Sequence, residues 1–368
     1  MTVASSLQTD GEIILMQPKI QTIIEKIPKF APHKNMPAIK TAAKILHRGG
    51  LVAFPTETVY GLGANALDPS AVLKIFAAKG RPGDNPLIVH IHEYSQLEIV
   101  SRDIPPLARK LAEFFWPGPL TMILTKTDAV PLETTAGLQS VAVRMPKHKV
   151  ASLLLKEAGI PIAAPSANSS GKPSPTISEH VTEDLLGKVD MVLDGGFSRF
   201  GIESTVVDLT VFPPCVLRPG SVTIEMLRKI EPAFQSGARL GHSEAPKSPG
   251  QKYRHYSPAA KLIIVSGENE NVINEINRLT AENLGKKKIG ILTAVQNVER
   301  YDNDSALVIS AGNSKKPQTV AQNLFKVLRT FDAHGADIIY SEAFPPDGHG
   351  KALMDRLNKA AGGTVIEV

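Results

Sequence analysis

The sequence predicts an α/β protein with two sheet-and-helix domains joined by an irregular linker, and three observations predict it. Short apolar runs alternate with amphipathic segments from residue 37 to 230, the rhythm of strands whose connecting helices pack back onto a sheet. Residues 231–260 break that rhythm with glycine, serine, proline and scattered charge, which reads as a linker. The rhythm restarts over 261–368. Residues 1–36 stand apart as an N-terminal arm with a short amphipathic piece near Ile20–Ile27.

Pro37 opens a helix that ends at Gly49-Gly50. Leu51–Phe54 is a short buried strand, and Pro55–Gly63 reads as a strand running into a glycine-punctuated turn. Asp68-Pro69 supplies an N-cap and a first-turn proline, with Val72, Leu73 and Phe76 as the apolar face. Leu87–Ile91 is a strand, and Pro106–Phe115 a helix closed by Trp116-Pro117-Gly118-Pro119. Strands follow at Leu120–Leu124, Val141–Val143 and Ile162–Ala164, and a helix over 178–186. Met191–Leu193, Thr205–Leu209 and Val216–Leu217 are strands, and Thr223 caps a last helix. After the linker come strands at 262–265, 288–292, 306–309, 338–341 and 364–368, with helices over 270–282, 318–332 and 350–361. No Gly-x-Gly-x-x-Gly follows the first of these strands, so a dinucleotide site has little support.

The composition narrows the function classes. A 368-residue chain that is 42% hydrophobic has ample material for two packed cores. The lone cysteine, Cys215, excludes an intramolecular disulfide framework and any multi-cysteine metal site. Its apolar neighbours Val216-Leu217 make it a buried structural thiol. No window approaches the ~18–20 apolar residues of a membrane span. Asp10, Glu12 and Glu25 interrupt the signal-peptide layout, so a cytoplasmic enzyme is the expectation. A net charge of +5 fits an anionic ligand without being a nucleic-acid footprint.

The chemistry-bearing residues cluster at the ends of predicted elements. Lys79 and Arg81 follow a helix; they either complement its macrodipole or hold phosphate, and the fork of Arg81, with Pro82 and Asn85 beside it, exceeds what the dipole needs. Thr58 and Tyr60 alternate onto one strand face, so their hydroxyls could share a pocket at a strand exit. Arg144, with Ser140 before the same strand, suits a ligand carboxylate or a structural salt bridge. Ser166, Asn168 and Ser174 lie in a loop with more hydroxyls than turning requires; Ser204 and Arg218 sit at further strand edges. His90 within a strand is a structural histidine unless other ligands converge on it. Phosphate-loop, zinc-protease and nucleophile-elbow motifs are all missing, and no histidine–carboxylate set forms a metal cage.

With these motifs in order, the chain resembles the YrdC-like threonylcarbamoyl-adenylate synthase family in its long form. The likeness covers about residues 38–223 and continues through the linker motif at Ser248–Pro258 and the C-terminal domain, whose signature is Gly350-Lys351-Ala352-Leu353-Met354-Asp355-Arg356-Leu357. It implies a YrdC-like twisted open mixed sheet with helices and a smaller Rossmann-like α/β C-terminal domain. It also implies synthesis of threonylcarbamoyl-adenylate from L-threonine, bicarbonate (or CO2) and ATP, for N6-threonylcarbamoylation of adenosine 37 in tRNA. By that resemblance Thr58, His90, Arg144, Ala164 (through its backbone) and Ser204 hold threonine. Arg81, Asn85, Ser140, Ser166, Ser174 and Arg218 hold ATP, with Lys79 and Asn168 close by. Lys79 and Arg81 are the expected catalytic cations, and Mg²⁺ is expected as a cofactor carried mainly on the phosphates. Tyr253 and His255 are expected to reach back as a lid. The implied functional partner is the tRNA threonylcarbamoyl transferase complex. The rival reading is a double-stranded RNA-binding factor using the same cationic groove, and weak RNA binding is compatible with either; the mild net charge weighs against the rival. A carbamoyl-transfer enzyme acting on a protein ranks lower, because the histidine and cysteine clusters of its partner modules are missing.

Overall fold

The computed structural model describes residues 20–28, 31–237 and 255–368. The first part of the chain builds strands β1 (Ile23–Lys26), β2 (Val52–Phe54), β3 (Gly61–Asn65), β4 (Ile88–His90), β5 (Leu120–Thr125), β6 (Ser140–Arg144), β7 (Ile162–Ala163), β8 (Met191–Asp194), β9 (Thr205–Asp208), β10 (Cys215–Arg218) and β11 (Gln235–Ser236). They form one mixed eleven-stranded sheet in the order β1-β8-β2-β3-β7-β4-β6-β5-β9-β10-β11. The helices are α1 (Met36–His47), α2 (Pro69–Lys79), α3 (Leu97–Val100), α4 (Pro106–Phe115), α5 (Leu132–Thr135), α6 (Lys149–Ala158), α7 (Ser178–Leu185) and α8 (Ile224–Arg228). Part of the N-terminal arm is thus an edge strand, β1, paired in parallel with β8.

The capping signals act as read. The Asp68 side chain accepts from the backbone N–H of Ser70 and Ala71, and Pro69 occupies the first turn of α2. Gly80 ends that helix in the left-handed conformation, φ 61°. Thr223 accepts from the N–H of Met226 and starts α8.

Alternation along the strands decides where a ligand can sit. Val89, Met122, Leu124, Val141, Val143 and Val207 point into one core with Val72, Ile75 and Phe76 of α2 and Leu111 of α4. Their neighbours His90, Thr121, Ala142, Arg144 and Val206 therefore point to the other face. Farther along the sheet that other face is covered by α1 and α6, which pack Ile39, Leu46, Leu154 and Leu155 against Phe54, Ile162 and Met191.

Strands β12 (Lys261–Ser266), β13 (Ile289–Ala294), β14 (Leu307–Gly312), β15 (Ile338–Glu342) and β16 (Val365–Glu367) form a second sheet, ordered β14-β13-β15-β12-β16 and parallel throughout. Helices α9 (Asn269–Asn283), α10 (Pro317–Ala333) and α11 (His349–Ala360) complete that unit. Phe325, Leu328 and Phe331 of α10 and Leu353 and Leu357 of α11 cover one face of its sheet. Cys215 departs from its expectation: it is half-buried, with its thiol donating to the Gly237 carbonyl oxygen, because β10 lies next to the edge strand β11.

Candidate active site

The face of β4, β6 and β9 turned away from the core that holds Val89, Val143 and Val207 ends in a cavity of about 60 Å³ whose wall includes Thr58, Arg81, His90, Arg144, Ala164, Ser166, Ser204, Arg218 and His255. Eight of the sequence-predicted residues plus one from the linker thus converge on one space.

The approach to the cavity corrects one expectation. Residues 55–60 are a bent loop, and the strand begins only at Gly61. Thr56 organises the bend: its hydroxyl donates to the Val59 carbonyl (2.6 Å) and accepts from the Thr58 and Val59 N–H groups. Side-chain polarity in these residues bonds the local backbone and overrides their strand propensity. Without strand alternation, Thr58 and Tyr60 do not aim their hydroxyls together. The Thr58 oxygen accepts from Arg144 Nη1 at 2.9 Å, whereas the Tyr60 hydroxyl donates to the Gly196 carbonyl at 2.7 Å. Gly63 serves close packing: a Cβ there would lie 2.8 Å from the Phe54 ring and 2.9 Å from Ile162.

Arg144 is held from three sides. Nε donates to the Gly118 carbonyl (3.2 Å), Nη1 to Thr58, and Nη2 pairs with Glu57 Oε1 at 2.7 Å. Beside it, His90 Nδ1 donates to the Ile88 carbonyl at 3.1 Å. Burial, with the Arg144 charge adding to it, pulls the imidazole down to about 3, so it is neutral at physiological pH.

Arg81 Nη2 donates to the Asn85 carbonyl at 3.2 Å. Its Nε, and both side-chain amide atoms of Asn85, are buried without a hydrogen-bond partner. Burial and the neighbouring Arg218 lower the Arg81 guanidinium to about 10, leaving it charged. Lys79 has a different placement from that expected of a catalytic cation. Its ammonium lies off the cavity wall and donates to the carbonyls of Ser166 (2.5 Å) and Asn168 (2.6 Å). It clamps the loop after β7 from beneath, and burial holds its pKa well below the usual lysine value. The Asn168 amide donates to the Ser169 and Lys172 carbonyls, tightening the same loop, while its Oδ1 is buried and unpartnered.

Also on the cavity wall, Arg218 Nε donates to the Ser204 carbonyl and Nη2 to the Ser204 hydroxyl, each at 3.1 Å. Ser204 also shares a 2.7 Å hydrogen bond with Thr121. The Ser174 hydroxyl donates to Glu203 Oε1 at 2.6 Å, so it sits one contact behind the wall. Ser140 lies at the far end of β6 from Arg144, about 13 Å away at ~3.3 Å per residue, on the same strand face. The Ala164 backbone N–H is taken by the Ile88 carbonyl, and the residue lies on the cavity wall.

The linker's end does reach the site. His255 and Tyr256 line the cavity, and the His255 Nε2 is buried and unpartnered. Burial and the Arg81 charge lower the His255 imidazole to about 4. Tyr256, at φ 65°, stacks on Phe325 of α10 with ring centres 5.1 Å apart. Tyr253 lies outside the described residues.

Four participants escaped sequence reasoning: Glu57, Glu203, Tyr256 and Arg356. Glu57 and Glu203 each stood next to a residue that was singled out, and Tyr256 and Arg356 lay inside quoted motifs. What each pairs with is set by long-range contact. Among the described residues no cluster of three or more histidine, cysteine or carboxylate groups could cage a metal ion. Nor is any described helix long and apolar enough to cross a membrane.

Fold and site together define an α/β protein that gathers cations and small hydroxyls around one cavity beside a mixed sheet, with a second parallel domain alongside. A family model described as "Telomere recombination" matches residues 44–220, and one described as "Threonylcarbamoyl-AMP synthase, C-terminal domain" matches residues 222–362. The chain is 48% identical over 333 residues to the threonylcarbamoyl-AMP synthase of Pyrococcus abyssi, covering 90% of this chain and 96% of that one. It is 48% identical over 334 residues to the enzyme of the same name from Bacillus subtilis, covering 90% and 95%. The solved structure of P. abyssi Sua5 complexed with L-threonine superposes with a TM-score of 0.86 at 45% identity, covering 94% of this chain and all of that one. The chain belongs to the threonylcarbamoyl-AMP synthase family, and it is an enzyme of the nucleotidyl-transferring kind.

Proposed function

We propose that this chain makes threonylcarbamoyl-AMP and pyrophosphate from L-threonine, bicarbonate or CO2, and ATP. The observation that carries the nucleotide half is the pairing of Arg81 with Asn85. A guanidinium Nε on the cavity wall and, four residues on, a whole side-chain amide are buried with no partner of their own, a cost the protein recovers only when a polar ligand reaches them. Arg218, lining the same cavity, adds a second cation.

Threonine sits at the Thr58–His90–Arg144 end, with the Ala164 backbone and Ser204 completing its contacts. Glu57 offsets the Arg144 charge there, so Arg144 directs a carboxylate by its fork more than by net charge. Arg81, Asn85, Ser166 and Arg218 take the phosphates. Ser140, on the same strand face beyond Ala142, suits the nucleoside end. Lys79, Asn168 and Ser174 act by holding the residues that touch ligand.

The threonine amine adds to CO2 to give a carbamate and releases a proton. A carbamate oxygen then attacks the α-phosphorus, the bond from that phosphorus to the bridging oxygen breaks, and pyrophosphate leaves. Both reactants are anions, so positioning and charge neutralisation by Arg81 and Arg218 supply the catalysis. No strong general base is demanded, in keeping with a neutral His90. Glu203 on the cavity wall and Glu57 behind Arg144 are each paired with an arginine. A magnesium ion would therefore ride on the phosphates, neutralising them, with no protein cage.

A cavity of about 60 Å³ holds a few waters. Nucleotide entry therefore requires His255 and Tyr256 to swing away and close again, the behaviour of a lid that keeps water from a labile mixed anhydride. The product's consumer is a transferase acting on tRNA, and the cytoplasm is where such a pair would work.

The decisive experiment is pyrophosphate release from ATP with bicarbonate and Mg²⁺, with threonine, serine or valine. Release that requires threonine and disappears in Arg81→Ala supports the reading. Release indifferent to the amino acid refutes it. Valine lacks the hydroxyl, and a buried partner left unpaired costs about 1–3 kcal/mol, so it should fall roughly 5- to 150-fold behind.

A further inference from the structure

The C-terminal signature Gly350–Leu357 plays no part in the chemistry above, yet one of its side chains reaches the catalytic wall. Gly350 lets α11 lie against the loop before it, since a Cβ there would sit 1.8 Å from the Pro345 carbonyl oxygen. Leu353 and Leu357, one turn apart, are fully buried in the C-terminal core. Arg356, three residues after Leu353, leaves that core and crosses to the other domain with no exposed surface at all.

Its contacts there are specific. Nε pairs with Glu203 Oε2 at 2.9 Å and Nη2 donates to the Glu203 carbonyl at 3.3 Å. Nη1 donates to the Pro219 carbonyl at 2.7 Å and pairs with Asp355 at 2.8 Å. The guanidinium lies 5.9 Å from the Tyr256 ring centre. Glu203 precedes Ser204, and its other carboxylate oxygen takes the Ser174 hydroxyl; Pro219 follows Arg218. One guanidinium from the second domain therefore holds the chain on both sides of the nucleotide wall.

We propose that Arg356 is a positioning residue for the nucleotide half of the catalytic cavity, acting by neutralising Glu203, which holds Ser174, and by fixing Arg218 through the Pro219 carbonyl. The second domain thereby completes the ATP site. Without Arg356, a buried carboxylate on the cavity wall faces the place where phosphates must bind, and like charges repel. This inference rests on the synthase reading for which ligand occupies that wall.

The test compares Arg356→Met, Arg356→Lys, Glu203→Gln and the double variant Glu203→Gln/Arg356→Met by steady-state pyrophosphate release. Direct binding of a non-hydrolysable ATP analogue is measured on the same proteins. Arg356→Met should raise the KM for ATP at least about tenfold and leave that for threonine within about twofold. Adding Glu203→Gln should recover most of the ATP affinity, because the repelling charge is gone; a merely structural loss would instead move the ATP and threonine KM values together. Equal effects on both substrates, unchanged ATP affinity, or no rescue would each overturn the proposal. Should Arg356→Met fail to fold, Arg356→Lys carries the comparison: it keeps the charge, loses the hold on Pro219, and should raise only the ATP KM. A wild-type enzyme without threonine-dependent release would sink the synthase reading, while analogue binding would still report whether Arg356 governs the nucleotide wall.

Discussion

Arg144 and Glu57 form an ion pair at 2.7 Å in which each residue is only 4% exposed. Glu57 comes from the loop before β3 and Arg144 from the end of β6, so the pair locks the loop at Thr56–Tyr60 to the central sheet. Its arginine is also the residue expected to meet the amino acid's carboxylate.

Breaking that pair from one side should be worse than removing it. Arg144→Met leaves the Glu57 carboxylate buried and unpaired, a loss of about 3–5 kcal/mol. Glu57→Gln/Arg144→Met should be appreciably more stable than Arg144→Met alone, although equally unable to bind threonine. Urea denaturation with threonine titration checks both parts, and a double variant no more stable than the single would contradict them.

Arg81→Ala should lower the rate of threonine-dependent pyrophosphate release by roughly two to three orders of magnitude. Arg81→Lys should restore only part, because a point charge replaces a planar fork. Neither should move the melting temperature much, since the Arg81 donors serve only two carbonyls within its own loop. A large melting shift would mean that Arg81 is structural.

Stability should fall as the pH drops from about 6.5 towards 5. His90, His180 and His255 have imidazoles pushed down to about 3, 4 and 4, burial being the largest cause in each. Their folded pKa values lie below the unfolded one, so the unfolded chain binds more protons in that window and acid favours it. Each histidine contributes up to about 1.4 kcal/mol per pH unit. Melting curves of wild type and His90→Gln should converge as the pH falls, and parallel curves would show that His90 is not among the groups responsible.

Tyr256→Ala removes the stacking on Phe325 that seats the linker's end over the cavity. ATP should then be consumed with less threonylcarbamoyl-AMP recovered per pyrophosphate, because water reaches the anhydride. The product-to-pyrophosphate ratio, followed by chromatography, reads this directly. A ratio equal to wild type would argue against closure by this segment.

Much of the architecture was legible locally. The Asp68-Pro69 start of α2, the Pro106–Phe115 helix and the Thr223 cap rest on side chains bonding backbone a few residues away, and period-2 runs placed β5 and β6 within a residue or two of their observed ends. The loop at Thr56–Tyr60 was misread because threonine, valine and tyrosine favour strands in general, while the Thr56 hydroxyl bonds this particular backbone into a bend. Lys79 was legible as a cation but not as a clamp, since its two carbonyl partners lie 87 and 89 residues onward.

By itself the sequence determined the secondary elements, the two-part layout and the residue types of an anion-binding enzyme, all consequences of short-range propensity, periodicity and charge. Only the tertiary structure decided which charges neutralise which. Glu57 takes Arg144, and Glu203 takes Arg356 across 153 residues of chain. Such pairings depend on where strands and domains bring side chains once water is excluded, where the strength of each charge is set by its surroundings.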